Sequence, residues 1–320
     1  MKLTLIAYND LLDPNQKAAH QALEKALLTE GIVGLTGVPE YLEKSSAYIE
    51  SARAFCALPE AVKEAYVPAR DSGRTEGYEL GAEKFKNAAG EWQVDDKKAS
   101  FYAFVPNDPR NTWPTEVDLK TAYMDLAELI FNTGKLVLNA MGLNELVGLD
   151  INKFVGYGRM LHYHKEGSLT DVNPDWCGAH LDHGLFTGLL PAYYYKDGES
   201  VDEPEEAGLH IVPTGKSAFE KVHATDKSIL LFQVGEFGQL ASNDRMKATR
   251  HIVKKAMGGI DRFTLAVFFN PAAETRIRTT SVLATDTRVT ANLAPDGYLA
   301  FSDWERDSFA RYWANDKESE

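Results

Sequence analysis

The feature that most constrains the fold is a series of short apolar segments in the second half of the chain. From residue 151 onward, Gly, Pro, Asn and Asp separate runs of apolar or alternating character. The runs are GRMLHYHK, LFTGLLPAYYY, AGLHIVP, SILLFQVG, ATRHIVKK and RFTLAVFFNP. Several short strands separated by turn residues are typical of antiparallel sandwiches and jelly rolls. We therefore predict a mainly β fold, with a jelly-roll domain over residues 151–320 that ends in a C-terminal helix.

Residues 1–150 have a different pattern, which predicts a mainly helical N-terminal region. An amphipathic helix is expected after Pro14, with Gly31 as the residue that ends it. A short strand, IVGLTGV, follows, and a second helix is predicted over residues 40–57. A long helix with one apolar face is expected after Thr115, whose hydroxyl suits a helix cap.

Residues 68–114 are polar and rich in Gly, Pro and Asp. This composition predicts a long irregular segment. Irregular segments of this length are usually functional or mobile.

Composition and charge exclude several classes of protein. The 320 residues are 44% hydrophobic and 25% charged, as in ordinary globular proteins. The formal net charge of -13 disfavours nucleic acid or an anionic membrane as a partner of the whole surface. Only two cysteines are present, and the N-terminus lacks the pattern of a signal peptide, so we expect a cytoplasmic protein and, given its charged surface, a monomer.

The segment GAHLDHGLFTGLLP places His180, Asp182 and His183 just before an apolar run. In a strand, residues i and i+2 share a face, so His180 and Asp182 are expected to converge on one ion. His251, in the predicted strand ATRHIVKK, is the best candidate for a third ligand. Two histidines and one carboxylate form the facial triad of non-haem Fe(II) oxygenases. The histidines that leave alternatives for the third ligand are His20, His162, His164, His183, His210 and His223.

Arg262 opens the apolar strand RFTLAVFF, and Thr264 lies two positions later on the same face. A guanidinium directed into a core is costly unless it meets an anion, and its planar fork suits a carboxylate. The alternative is an arginine at the strand end that is exposed, or that pairs with Asp261 or another acid. The pattern alone does not exclude that alternative.

Taken together, these residues resemble the signature of the Fe(II)- and 2-oxoglutarate-dependent dioxygenases. His-x-Asp, a distant His, and then Arg-x-Ser/Thr are similar to the branch that includes isopenicillin N synthase and plant oxygenases. Tyr163 matches a Tyr of that branch, although His164 stands where a Pro is usual. Gly235 and Asn243 occupy expected places before His251. Further likeness lies in the GY at 77–78 and in KASFYAF and NTWP within residues 98–114, whereas Glu236 and Thr264 replace the commoner Asp and Ser.

The resemblance implies a double-stranded β-helix core and a set of site residues. His180, Asp182 and His251 would ligate Fe(II), while Arg262 and Thr264 would hold the distal carboxylate of 2-oxoglutarate, with Tyr163 helping to position it. No catalytic side chain is expected beyond the metal centre. Residues that contact the primary substrate are expected within 68–105 and 295–313.

The implied activity is oxidation of a small organic molecule by O₂, most simply hydroxylation, with release of succinate and CO₂. Two other functions are compatible with the sequence. One is an Fe(II) oxidase of the isopenicillin N synthase type, which does not use 2-oxoglutarate. The other is a non-catalytic jelly-roll protein that binds a metal or ligand.

Overall fold

The computed structural model describes residues 1–69, 74–81, 84–86, 92–94, 97–165, 175–224 and 226–313. Within these ranges, α-helices occur mainly in the first half and at the C-terminus. They are α1 Tyr8–Leu12, α2 Lys17–Thr29, α3 Tyr41–Cys56, α4 Glu60–Lys63, α5 Leu119–Ala140, α6 Leu143–Val147, α7 Glu236–Ala241, α8 Thr287–Thr290 and α9 Phe301–Trp313. Short 3-10 helices cover Glu64–Tyr66, Ile151–Lys153 and Val282–Thr285.

The strands are concentrated in the second half, as the short apolar runs predict. They are β1 Leu5–Ala7, β2 Ile32–Thr36, β3 Gly77–Leu80, β4 Lys84–Lys86, β5 Trp92–Val94, β6 Lys98–Val105, β7 Val155–Tyr163, β8 Asp175–His180, β9 Phe186–Leu189, β10 Tyr193–Lys196, β11 Glu199–Val201, β12 Gly208–Ile211, β13 Glu220–Lys221, β14 Leu230–Val234, β15 His251–Lys254, β16 Ile260–Asn270, β17 Arg276–Ile277 and β18 Leu299–Ala300. Each of the six predicted runs contains at least one strand.

Two sheets form the core of the second half. The larger has the order β1-β2-β14-β9-β16-β7-β6-β3, with β10 also paired to β16 and β11 paired to β10. The smaller has the order β13-β12-β15-β8. Their pairings are antiparallel except for β1 with β2, so the predicted jelly-roll class is confirmed. Residues of both sheets line one internal cavity.

The prediction of an irregular segment over 68–114 was wrong in part. Strand β6 pairs along its length with β7, so a continuous stretch of the predicted loop lies inside the larger sheet. The segment KASFYAFV is largely buried, because helix α5 packs against this strand and Phe55 of α3 contacts its Phe101. The stretch GAEKFKNAAGEWQVDD lies mostly outside the described residues.

Helix α5 packs its predicted apolar face into the core, and Leu119, Tyr123 and Ile130 are buried there. Its cap differs from the prediction. The Asp118 side chain, not that of Thr115, accepts a hydrogen bond from the Thr121 N–H at 3.1 Å. A carboxylate one turn closer to the first apolar residue is the better acceptor for these amide groups.

Strands from both sides of residue 150 share the larger sheet, since β1, β2, β3 and β6 lie at its two edges. The boundary between a helical region, 1–150, and a jelly-roll domain, 151–320, stays a prediction. Cys56 and Cys177 are free thiols. Among the described helices, none has both the length and the apolar character needed to cross a bilayer.

Candidate metal and co-substrate site

Paired strands bring His180 and His251 together. The two residues are partners in the β8–β15 pairing, and their ring centroids lie 4.1 Å apart. His180 Nδ1 donates to the Gly178 carbonyl at 2.8 Å, and His251 Nδ1 donates to the Thr249 carbonyl at 2.9 Å. Because a carbonyl oxygen can only accept, Nδ1 is the protonated nitrogen of each ring, and in the neutral ring the Nε2 lone pair is available to a ligand.

Asp182 lies just beyond the end of β8 rather than within the strand, but its carboxylate still converges with the two rings. Its Oδ1 is 3.6 Å from His180 Nε2 and 3.7 Å from His251 Nε2. These ligand atoms form the one group of three histidine, cysteine or carboxylate ligands found close together within the described part of the chain. The structure therefore brings together the three residues that the sequence selected.

The second oxygen of Asp182 has two partners that the sequence analysis missed. Thr187 Oγ1 donates to Asp182 Oδ2 at 2.7 Å, and Gln233 Nε2 donates to the same oxygen at 2.6 Å. Both side chains are fully or almost fully buried. They hold the carboxylate so that Oδ1 faces the histidines. A glutamine inside the buried strand LLFQV was the available signal, because a buried polar side chain needs a partner.

The charge state of the group suits a divalent cation. Burial opposes ionisation of Asp182, but His251 and His180, together with the Thr187 hydrogen bond, hold the pKa of this carboxyl well below its usual range. Burial and the neighbouring His180 lower the pKa of His251 to about 4. Burial opposes a charge on His180, but Cys177 and Asp182 raise the pKa of His180 well above its usual value, so a bound cation would have to displace this proton. With that proton displaced, one ionised carboxylate and two neutral imidazoles form the donor set that non-haem Fe(II) prefers.

The loop that carries Asp182 is held by the start of α7. The Glu236 N–H donates to the Asp182 carbonyl at 2.7 Å, and the Phe237 N–H donates to the Gly184 carbonyl at 3.1 Å. Gly235 is required here, since a Cβ at that position would lie 2.2 Å from the Gly184 oxygen. A glycine is therefore expected at this position, because any side chain would clash with the loop.

Glu236 and Arg288 anchor this helix from the other side. Two hydrogen bonds of 2.9 and 2.8 Å join the Arg288 guanidinium to the Glu236 carboxylate, and both side chains are buried. The guanidinium also lies 4.1 Å from the Trp304 ring centroid. Glu236, which replaces the commoner Asp, therefore ties the metal loop to the C-terminal helix. Asn243, the other expected residue of this segment, accepts a hydrogen bond from the Thr280 N–H at 2.6 Å.

Arg262 is buried in β16, opposite Tyr163 on β7 and Tyr194 on β10. Its Nε and Nη1 atoms have no hydrogen-bond partner among the described residues. Arg262 is not exposed at the strand end, and Asp261 accepts hydrogen bonds from His162 and from the Lys165 N–H. Buried guanidinium donors without protein acceptors fit an anionic ligand.

Tyr163 and Thr264, the two other residues predicted to bind the co-substrate, lie beside Arg262. Tyr163 is buried between Trp176, 5.6 Å away by ring centroids, and the Arg262 guanidinium, 4.9 Å from its own centroid. The Thr264 hydroxyl donates its proton to the Leu190 carbonyl. In this rotamer the hydroxyl can only accept a hydrogen bond from a ligand, and it must rotate to donate one. Together with Arg262 they line one cavity of about 100 Å³, whose walls also include His180, Asp182 and His251. Metal ligands and anion site thus share one enclosed space.

The other histidines lie outside this group. His162 pairs with Asp261 at 3.0 Å and stacks on Phe263, and His210 Nδ1 donates to the Gly208 carbonyl. His183 packs edge-to-face on Phe309, with ring centroids 4.7 Å apart. Its carbonyl accepts a hydrogen bond from Trp304 Nε1 at 2.9 Å. The structure gives His183 a packing role beside the metal loop.

Comparison with known proteins supports the same assignment. Residues 3–116 match a family described as "non-haem dioxygenase in morphine synthesis N-terminal". A comparison with curated protein sequences found no match.

Solved structures of oxygenases are similar over almost the whole chain. A full-length Neurospora crassa protein, solved in complex with alpha-KG, shares 21% identity, with a TM-score of 0.71, over 97% of this chain and 96% of that one. A putative 2OG-Fe(II) oxygenase family protein from Caulobacter crescentus shares 18% identity, with a TM-score of 0.74, over 97% and 98% of the two chains. A rice dioxygenase for auxin oxidation shares 14% identity, with a TM-score of 0.68, over 97% and 95%. The fold is that of the Fe(II)- and 2-oxoglutarate-dependent oxygenases, and the resemblance seen in the sequence is confirmed.

Proposed function

We propose that this protein is a non-haem Fe(II)- and 2-oxoglutarate-dependent oxygenase that oxidises a small organic molecule. The observation that carries the proposal is the placement of three converging metal ligands and a buried Arg262, whose Nε and Nη1 atoms have no hydrogen-bond partner, on the walls of one cavity. His180, Asp182 and His251 would hold Fe(II) through two Nε2 atoms and one carboxylate oxygen. Arg262 would bind the distal carboxylate of 2-oxoglutarate through its free Nε and Nη1 donors.

Fe(II) and 2-oxoglutarate would supply the activation of O₂ for oxidation of a substrate C–H bond, with succinate and CO₂ as co-products. The protein contributes geometry. Thr187 and Gln233 fix the orientation of Asp182, and two backbone carbonyls fix the tautomers of the histidines. Tyr163 and apolar side chains of both sheets exclude water around the Arg262 guanidinium, which strengthens its attraction for a carboxylate.

In the alternative, an oxidase that does not use 2-oxoglutarate, the Arg262 donors would bind an anionic group of the substrate instead. A non-catalytic jelly-roll protein without a metal would need neither the converged triad nor the hydrogen bonds that orient it, and one with a structural metal would not need the unbonded Arg262 donors. The Neurospora crassa protein, whose structure was determined in complex with alpha-KG, has the same fold. These observations favour the 2-oxoglutarate-dependent reaction, and we propose that the chain acts as a monomer on a small molecule.

The decisive experiment is anaerobic reconstitution with Fe(II) followed by titration with 2-oxoglutarate. We expect a weak visible absorption band on addition of 2-oxoglutarate, and slow formation of succinate once air is admitted. An iron-loaded protein that shows neither the band nor succinate would contradict the proposal. Arg262→Gln, which should keep iron but lose the band, tests the role of the guanidinium in the same assay.

A further inference from the structure

A second cavity, of about 610 Å³, lies beside the metal loop at the ends of strands β7 and β16. Its walls combine residues of these strands with residues of helix α9 and of the segment that precedes β3. The residues relevant to its chemistry are Thr75, Phe104, Arg110, Tyr157, Asn270, Phe301, Glu305, Arg306 and Phe309. Several of them fall in the two regions, 68–105 and 295–313, where substrate contacts are expected.

The second cavity continues the face of the sheet that lines the first. On β16, alternate residues from Arg262 to Phe268 line the first cavity, and Asn270, the next in the alternation, lines the second. On β7, Tyr163 lines the first cavity and Tyr157 the second. Alternate residues of a strand share one face, so a single strand face runs from the anion site to the second cavity.

Asn270 also contacts the metal loop. A Cβ at Gly184, two residues after Asp182, would lie 2.7 Å from Asn270 Oδ1. The second cavity is therefore adjacent to the loop that carries a metal ligand. A molecule bound there would lie beside the Gly184 end of this loop.

Most charges around this cavity are already neutralised. Arg110 makes two hydrogen bonds to Asp108, at 2.8 and 3.0 Å, and its guanidinium stacks 3.8 Å from the Phe104 centroid. Arg306 pairs with Asp303 at 2.7 Å and with Asp307 at 2.9 Å. Both arginine side chains are thus already paired with carboxylates, and both are largely exposed.

Glu305, the third charged residue of this cavity, differs from the two arginines in its partners. Asn270 Nδ2 donates to its Oε1 at 3.1 Å, and no cation pairs with it among the residues that the structure describes. Burial raises the pKa of this carboxyl to about 7. The remaining walls are largely aromatic, from Phe104, Tyr157 and Phe309. In its ionised form this carboxyl group is a hydrogen-bond acceptor on an aromatic wall, and an N–H donor from a ligand would stabilise that form.

We propose that Glu305, positioned by Asn270, binds the primary substrate through an N–H group, and that the substrate is a small aromatic or otherwise apolar molecule without an anionic group. The inference rests on the proposed function only in calling this ligand the substrate. Aromatic walls bury the body of such a molecule, and the carboxyl group selects its polar end. An organic anion would meet the Glu305 carboxyl with no free cation to offset it.

Two probes of equal shape test this selectivity, namely benzamide, which carries N–H donors, and benzoate, which is an anion. Their affinities are measured by isothermal titration calorimetry on the full chain, under nitrogen, with and without Fe(II) and 2-oxoglutarate. Glu305→Leu removes both acceptors, and Glu305→Gln keeps one. Glu274→Leu, at an exposed glutamate outside the cavity, is the matched control, and thermal unfolding verifies that each variant is folded.

We expect benzamide to bind the wild type at least fivefold more tightly than benzoate. Glu305→Leu should weaken benzamide at least fivefold and leave benzoate unchanged or strengthened, Glu305→Gln should lie between, and Glu274→Leu should match the wild type. Undetectable benzamide binding at millimolar concentration, tighter binding of benzoate, or benzamide affinity unaffected by Glu305→Leu would each overturn the inference. Titration of the same samples with 2-oxoglutarate reports separately on the proposed function.

Discussion

His180 and His251 lie opposite each other on paired strands, and each donates its Nδ1 proton to the carbonyl two residues earlier in its own chain segment. The backbone thus sets the tautomer of both rings before any metal arrives. Because the acceptors are main-chain atoms, no side-chain substitution nearby removes them. The histidines are therefore the rigid part of the proposed site, and Asp182 depends on side chains for its orientation.

Removal of His251 should abolish retention of iron. His251→Ala leaves two ligands, so we expect Fe(II) affinity to fall at least 100-fold, since loss of a ligand costs more than loss of an outer hydrogen bond. Metal content after desalting measures the effect, and His223→Ala, at an exposed histidine, is the control. Full iron retention in His251→Ala would show that another histidine is the third ligand.

The hydrogen bonds to Asp182 should tune the metal affinity. Thr187→Val keeps the side-chain shape but removes the donor to Oδ2, so we expect Fe(II) affinity to fall by roughly 10- to 100-fold. Thr187→Ser keeps the hydroxyl and should stay within a few-fold of the wild type. Competition with a chelator of known affinity measures both variants, and equal affinities would mean that Thr187 has no influence on the metal.

Substitution of Arg262 should weaken the binding of 2-oxoglutarate and leave the binding of iron unchanged. Lysine keeps the charge but loses the planar fork, so Arg262→Lys should raise the 2-oxoglutarate concentration needed for half-saturation at least tenfold. Iron content should not change. Arg250→Lys, at an exposed arginine, is the matched control. An unchanged requirement for 2-oxoglutarate in Arg262→Lys would place the co-substrate elsewhere.

His164 should make the protein sensitive to acid. Burial and the neighbouring His162 lower the pKa of His164 to about 4. The unfolded chain, with a histidine pKa near 6.5, then binds a proton that the folded chain resists. Stability is therefore complete above about pH 6.5 and falls as the pH drops toward 4.

We expect this group to account for about 1–2 kcal/mol of that loss, after allowance for its partial exposure. Urea unfolding at several pH values measures it. His164→Gln should flatten the profile between pH 6.5 and 4, and the exposed-site variant His223→Gln should not. An identical pH profile for His164→Gln and the wild type would contradict the assignment.

The Glu236–Arg288 pair should be important for stability. Glu236→Ala leaves a buried guanidinium without its main partner, so we expect the free energy of unfolding to fall by about 3–5 kcal/mol. The double variant Glu236→Leu with Arg288→Met should recover part of this loss, because the buried guanidinium is removed with its partner, while Asp286 loses its 3.1 Å pairing with Arg288. Denaturant unfolding of the wild type, the single variant and the double variant measures these free energies. If Glu236→Ala is as stable as the wild type, the pair contributes little to stability.

The local pattern predicted much of the fold because strand length, turn residues and alternation are properties of short segments. The run RFTLAVFFNP became β16, and the apolar stripe of α5 became its buried face. Failures occurred where distant partners decide the structure. Residues 98–105 form a strand because β7 lies alongside them, a pairing that the polar surroundings of the segment concealed.

For the candidate site, the sequence by itself determined which side chains could bind a metal and an anion. The pattern indicates His180, Asp182 and His251 as metal ligands. It also shows that Arg262 lies in an otherwise apolar strand. Only the tertiary structure decided which distant groups support them. Thr187 and Gln233 on Asp182, and Asn270 on Glu305, join residues on different elements. A hydrogen bond depends on distance and direction between atoms, and those are established only when the sheets and helices pack.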